Sequence, residues 1–330
     1  MAEFEQAFAD YTGTEYAVAV NSGTAALHAA LLAHGIGRGD EVITSSFSFI
    51  ATANSIQFTG ARPVFADIRQ DSFNLDPTLI EENITPATKA IMPVHLYGHP
   101  ADMGAMADIA EDHGLILIED ACQAHGATCN GKKAGSFGTG AFSFYPTKNM
   151  TTSEGGIITT NNKEIADRAR MIRAHGSRQR YLHEMLGYNL RMTDISAAIG
   201  LVQLERLPSY IEARQRNAKM LTGKLQGVEG IQCPVVREGC GHVFHQYTIR
   251  TRNRDQLVEH LKEKGIGSGI YYPIPIHRQP YYKELGYNDS LLVTEKASRE
   301  VLSLPVHPGV NEEDVNMISN AINEWSESQC

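Results

Sequence analysis

The strongest constraint on how this chain folds is the rhythm of its first half, where short apolar runs alternate with stretches of helical character. Residues 16–20, 41–45, 62–66, 88–94 and 115–119 read as strands. Helical stretches lie near 24–34, 50–59, 76–82 and 102–113, the last followed by Gly114 as a C-terminal stop. Such alternation predicts an α/β fold with a mostly parallel sheet covered by helices on both faces. Two shorter strands, 139–144 and 155–160, follow. Ligands of such sheets gather beyond the carboxyl ends of the strands.

Those ends carry chemistry. The run Tyr16–Val20 leads into Asn21-Ser22-Gly23-Thr24 and then an Ala-rich helix. Backbone N–H groups at a helix start, with Gly23 permitting close approach, suit a phosphate. The run Leu115-Ile116-Leu117-Ile118-Glu119 ends in Asp120, and its apolar character leaves that carboxylate partly buried and in need of a cationic partner. Lys148, in Phe142-Ser143-Phe144-Tyr145-Pro146-Thr147-Lys148-Asn149, falls 28 positions after Asp120, in the loop between the two shorter strands. Pyridoxal phosphate (PLP) needs a lysine for its Schiff base, an aspartate that keeps the pyridine nitrogen protonated, and a phosphate cradle. Each feature alone has an ordinary reading. Lysines are mostly solvated, strand-end aspartates cap turns, and Ser or Thr caps helices. The three in this order point to PLP.

The second half changes character. Thr193 or Asp194 caps a helix whose Ile195, Ala198, Ile199 and Val202 form one apolar face and which Pro208 ends. A longer helix over 209–225 leads out of the first domain. Then come a strand at 243–251, a helix at 255–264 stopped by Gly265, a strand near 268–272, and a last helix from 312 with Val315, Ile318, Ile322 and Trp325 on one face. The expected domains are a large PLP-binding α/β unit, 1–208, and a linking helix with a small α+β unit, 209–330.

Composition closes off other classes. A length of 330 residues fits two domains, and a net charge of −9 argues against nucleic acid as a partner. No apolar run near 18 residues and no charged-then-apolar leader is present, so neither membrane span nor secretion signal is expected. Five cysteines, at 122, 129, 233, 240 and 330, show no metal-like pairing and fit reduced thiols in a cytoplasmic protein. The thirteen histidines, His95, His99, His113 and His125 among them, form no ligand pattern, so no metal is expected.

On these residues the chain resembles the DegT/StrS family of PLP-dependent nucleotide-sugar aminotransferases, of fold-type I. The matching stretches are 21–27, 119–127, Phe142–Asn149, Gly187-Tyr188-Asn189-Leu190-Arg191-Met192 and Ser303-Leu304-Pro305-Val306-His307-Pro308. The resemblance covers essentially the whole chain. It implies transfer of an amino group from an amino acid, usually glutamate, to a keto carbon of a nucleotide-linked sugar, in a homodimer with shared active sites. It makes Lys148 the Schiff-base residue and proton carrier, and Asp120 the partner of the ring nitrogen. Gln123 is implied as donor to the cofactor's O3′, Ser143 as a phosphate ligand with Ser22, Gly23 and Thr24, and Phe49 as the aromatic stacked on the ring. Asn189 is implied to reach the phosphate of the neighbouring subunit. Arg191, Tyr272 and His277 are substrate candidates. Two departures stand out: the chain begins almost at the segment Phe4–Phe8, which family members usually precede with some tens of residues, and Ser153 stands where glycine is common, a change expected to matter little. The alternatives are another PLP reaction on a sugar, such as dehydration, and a regulatory or binding protein that keeps the fold without turnover. The family's sugar dehydratases carry histidine in place of the lysine, so Lys148 argues against the first.

Overall fold

The computed structural model describes residues 1–329. Its centre is a seven-stranded sheet built from β1 (Tyr16–Val20), β2 (Glu41–Ser45), β3 (Arg62–Ala66), β4 (Thr88–Met92), β5 (Ile116–Asp120), β8 (Thr139–Ser143) and β9 (Gly156–Thr160). Between β5 and β8 lies a two-residue-stranded hairpin, β6 (Thr128–Cys129) and β7 (Lys132–Lys133), turned by Asn130 and Gly131 at φ 49° and 81°. Positive φ at both turn positions is what an Asn-Gly hairpin turn requires. Strand order is β1-β9-β8-β5-β4-β2-β3. β3, β2, β4, β5 and β8 run parallel, and β9 is antiparallel to both β8 and β1. Two reversals leave β1 parallel to β5, so the carboxyl ends of both open on the same side.

Successive residues of these strands serve two cores, because side chains alternate across a sheet. Val18, Val20, Ala141 and Ile158 pack on one face with α2 (Gly23–Ala33) and α5 (Lys163–Arg173). Ala17, Ala19, Phe142 and Ile157 pack on the other with Phe4 and Phe8 of α1 (Ala2–Thr12) and Leu204 and Leu207 of α6 (Asp194–Leu225). Burial on both faces is why these strands read as unbroken apolar runs. α3 (Ala51–Thr59) and α4 (Met103–Asp112) complete the layers.

A separate core holds the C-terminal third. β13 (Tyr247–Arg250) pairs antiparallel with β14 (Val301–Leu304). Ala218, Leu221 and Leu225 of α6, Leu257 and Leu261 of α7 (Arg254–Glu263), and Val315, Ile318, Ile322 and Trp325 of α10 (Glu312–Glu327) pack against that pair. α8 (Pro280–Glu284) and α9 (Leu292–Glu300) lie between. The remaining strands are short: β10 (Ser177–Gln179) with β11 (Leu182–His183), and β12 (Cys240–Gly241), which joins β6.

Several expectations are corrected. The stretch 76–82 forms two 3₁₀ turns, Pro77–Leu79 and Glu81–Asn83, because Asp76 caps so short a piece that no α-helix propagates. Pro208 does not end a helix. α6 runs through it, its buried side bridging the second sheet face and the C-terminal core, and this packing outweighs the hydrogen bond that proline removes. The face of Ile195, Ala198, Ile199 and Val202 points outward, with Ile195 78% exposed, while Ala197, Gly200 and Leu204 turn inward. Residues 268–272 form a single bridge, Gly269 to Ser303, rather than a strand. The strand expected at 243–251 shrinks to β13, since Val243 bonds instead to Gly98.

Candidate active site

A cavity of about 360 Å³ opens at the carboxyl ends of β1 and β5. Ser22, Gly23, Thr24, Phe49, Asp120, Gln123, Ser143, Lys148 and Tyr272 all line it. A larger open groove of about 620 Å³, containing Arg250 and Trp325, shares no residue with it.

Local sequence explains each wall. Ser22 is extended and its Oγ accepts from Ala25 N at 3.1 Å, so the hydroxyl caps α2, while Gly23 and Thr24 at the helix start line the cavity. A Cβ on Gly23 would meet Ser143 Cβ at 2.5 Å and Cys122 Sγ at 3.1 Å, so glycine is what lets β8 close on this helix start. Asp120 is 5% exposed. Its Oδ2 accepts from Thr52 Oγ1 at 2.7 Å, its Oδ1 from Cys122 N at 3.2 Å, and Ser48 Oγ lies 2.8 Å from Thr52 Oγ1. With the Thr52 proton committed to the carboxylate, Ser48 is the donor of that last bond. Next door, Glu119 points into the opposite layer, where Gly135 N, Phe137 N, Gly138 N and His95 Nε2 donate to it. That buried anchor locks the end of β5 in place.

Lys148 is partly buried in the loop after β8, and burial lowers its pKa, with Cys122 and Asp120 opposing the shift. A lowered pKa makes more of the amine available as nucleophile and base. Gln123 is fixed at both ends, its Oε1 accepting from Tyr97 N at 2.8 Å and its Nε2 donating to Tyr272 Oη at 3.1 Å. Phe49 sits at the mouth, 55% exposed, its ring 6.1 Å from that of Tyr272. Burial raises the Tyr272 phenol well above its ordinary value, so it is a neutral hydroxyl.

Three candidates lie outside the cavity. His277 is fully buried, with Nδ1 at 2.6 Å from Ser46 Oγ and Nε2 at 3.3 Å from Glu295. Both ring nitrogens have partners, so the ring bridges Ser46 and Glu295 outside the cavity lining. Asn189 and Arg191 are exposed, on a segment held against the end of β1 by Asn21 N donating to Leu190 O at 2.8 Å. Conversely, sequence reasoning missed Ser48, Thr52, Cys122, His245 and Gln246 as cavity residues. Thr52 and Ser48 stand four positions apart, a spacing that could have been read as a relay. His245 had no local signal, since it arrives from the C-terminal third. Its pKa is pushed well below the usual imidazole value by burial and by the Lys148 and Arg214 cations, so its ring is neutral.

The donor set fits PLP. The helix start and Ser143 offer N–H and O–H groups for a phosphate, Asp120 is a buried carboxylate suited to a pyridinium, and Lys148 is an amine in the same cavity. Among the described residues no His/Cys/Asp/Glu group suited to a metal ion occurs. No helix among them is long and apolar enough to cross a membrane.

Known proteins share this architecture. A pleiotropic regulatory protein of Geobacillus stearothermophilus is 46% identical over 98% of this chain and 88% of its own length. GDP-perosamine synthase of Caulobacter vibrioides is 45% identical over 98% of this chain and 89% of its own. The crystal structure of S. venezuelae DesV in complex with a ketimine intermediate superposes with a TM-score of 0.96 at 43% identity, covering 99% of this chain and 89% of that one. NtdA of Bacillus subtilis, solved with bound cofactor PMP, gives 0.93 at 34% identity over 99% of this chain and 77% of its own. These solved structures are of fold-type I aminotransferases, the class that the resemblance implied, and the mostly parallel sheet is what the strand rhythm implied. The family profile matches residues 1–323, and with it the chain belongs to the DegT/DnrJ/EryC1/StrS aminotransferase family.

Proposed function

We propose that this protein is a PLP-dependent aminotransferase that moves an amino group from an amino acid, glutamate by preference, to the keto carbon of a nucleotide-linked sugar. The observation that carries this reading is the meeting of Lys148, Asp120 and the start of α2 in one cavity. Relatives named as acting on dTDP-, GDP- and UDP-linked sugars support the acceptor class and leave the nucleotide open.

When bound, the cofactor supplies an electron sink for the carbon that loses its proton. The chain supplies the rest. Asp120, held by Thr52 and the Cys122 amide, would keep a proton on the cofactor's ring nitrogen. Lys148 Nζ would tether the cofactor and, as a free amine, would carry the proton between the substrate carbon and the cofactor's C4′ carbon, so a single amine would act as tether, base and acid. The α2 start and Ser143 would hold the phosphate, Phe49 would stack on the ring, and Tyr272 would border the space left for the sugar.

The two domains are assigned as 1–208 and 209–330, the protein as cytoplasmic, and the working unit as a homodimer with shared sites. Support for the dimer is electrostatic and apolar at once. Among the described cavity residues Lys148 is the one cation, since His245 is neutral, which leaves a doubly charged phosphate short of partners within one chain. Exposed Ile195, Ile199 and Val202, together with Leu182 and Leu186, supply an apolar surface for a second copy. Asn189 and Arg191 stand on the same segment of chain and would be delivered to the partner's site.

The test is direct. Protein loaded with PLP and mixed with glutamate should lose its visible absorbance band and release 2-oxoglutarate, and Lys148→Ala should do neither. Borohydride reduction with PLP should label Lys148. Label on Lys132, Lys133 or Lys163 would refute the assignment. The structure gives those three other work: Lys132 and Lys133 lie over the Phe137 and Tyr11 rings, and Lys163 pairs with Asp167 at 2.6 Å.

A further inference from the structure

Away from the cavity, two cysteines oppose each other across the small sheet of β12, β6 and β7. Cys129 pairs with Cys240, and Thr128 with Gly241, in antiparallel register. Asn130 N donates to Gly239 O at 2.7 Å, while Cys240 N is used by Arg237 O at 3.1 Å. Hydrogen-bonded and non-hydrogen-bonded pairs alternate along an antiparallel ladder. With the flanking pair 130/239 bonded, 129/240 is a non-bonded pair. In such a pair the Cα atoms approach to about 4.5 Å and the side chains, on one face, lie closest. Disulfides form at Cα separations of about 4.4–6.8 Å. Both thiols are free, and both belong to one apolar cluster, Cys129 buried and Cys240 partly so. The other described cysteines lie elsewhere: Cys122 lines the cavity and Cys233 packs on the C-terminal core.

The two strands also join parts of the molecule that matter to each other. β6 continues the segment that begins with Asp120, and β12 leads within a few residues to His245 and Gln246 in the cavity wall. We propose that Cys129 and Cys240 are a covalent cross-link site, closed by a low-molecular-weight disulfide such as oxidised glutathione. The half-exposed Cys240 thiolate attacks one sulfur of the oxidant and expels one thiolate, leaving a mixed disulfide. The Cys129 thiolate then attacks the Cys240 sulfur and expels the second. One S–S bond forms in the protein and one breaks in the oxidant, which is reduced to two thiols carrying the two protons that the cysteines lose. Burial, with Cys129 and Asp102 acting the same way and Arg237 opposing, pushes the Cys240 thiol up to about 11. Its thiolate is scarce at neutral pH, so closure accelerates as the solution is made alkaline.

Incubating the full chain with oxidised glutathione should consume the Cys129 and Cys240 thiols without producing a disulfide-linked dimer. Non-reducing peptide maps should link the peptides carrying residues 129 and 240, faster near pH 9 than near pH 7. Cys240→Ser should abolish the link. A chain oxidised in this way should unfold at a higher temperature than the reduced one, and dithiothreitol should reverse the gain, because the link closes a long loop. The proposal is overturned if Cys129 and Cys240 both stay open to alkylation, if glutathione remains on Cys240 beside a free Cys129, or if the link joins other cysteines.

Discussion

Asp120 works through its neighbours. Thr52 donates to its Oδ2 and Ser48 donates to Thr52, so a hydroxyl chain fixes the orientation of the carboxylate. Thr52→Val keeps the shape and removes the bond. It should retain PLP yet slow the glutamate half-reaction about tenfold, a cost of ~1.4 kcal/mol at the transition state. Rapid-mixing rates set beside cofactor affinity separate this from a packing defect, which would weaken affinity in step. His125 makes the opposite kind of contribution. It is fully buried between Phe142 and Phe144, with centroids at 5.3 and 5.6 Å, and burial lowers its pKa to about 3. The unfolded chain therefore takes up this proton first, from about pH 6.5 downward. A folded-state pKa below the unfolded one means that stability is lost as pH falls through that window. His125→Leu should flatten the fall of the urea midpoint between pH 6.5 and 4, leaving the share due to His34, His242 and His245, whose pKa values burial also lowers. Parallel curves for the two proteins would show that His125 does not titrate with unfolding.

At the scale of elements, the connection from β8 to β9 carries both Lys148 and a strained residue. Ser153 stands at φ 70°, a region costly for any residue with a Cβ, which gives a physical reason for the glycine common there and makes the departure less neutral than the sequence implied. Ser153→Gly should stabilise the protein by about 0.5–1 kcal/mol, the relieved strain being partly offset by the greater unfolded-state freedom of glycine. Chemical denaturation measures this, and an unchanged or lower midpoint would count against it. α6 shows the reverse case, in which a helix breaker is tolerated. Leu204 and Leu207 on one side of Pro208, and Arg214, Ala218 and Leu221 on the other, are all buried, so two cores hold the helix on both sides of its weak point. Arg214 Nη1 donates to Phe244 O at 3.1 Å and to His245 O at 3.3 Å, tying the helix to the wall of the cavity.

For the whole molecule, the shared site gives the sharpest expectation. Asn189→Asp would set a carboxylate against the partner's phosphate, and Lys148→Ala removes the amine, so each alone should be inactive. Subunit exchange between them yields heterodimers in which one site carries both defects and the other neither, and activity should return. Inactive heterodimers, demonstrated to have formed, would return Asn189 to the role of a turn residue. The strands of the central sheet, the Ser22 cap, the α10 face and the line of Ser22–Thr24, Asp120 and Lys148 were legible in the sequence, because each rests on local chemistry: apolar runs buried on both faces of a sheet, a cap one turn from its donor, a carboxylate at a strand end. Other features follow only from contacts between distant segments. The partners of His277, Ser46 and Glu295, come from distant segments, and Pro208 looked like an end until two cores gripped its helix. Cys129 and Cys240, 111 positions apart, carry no pattern that pairs them, and strand register alone sets them face to face. Local sequence fixes which groups are offered to the sheet's edge, whereas long-range packing, which pays for each contact in chain entropy, decides which of them meet.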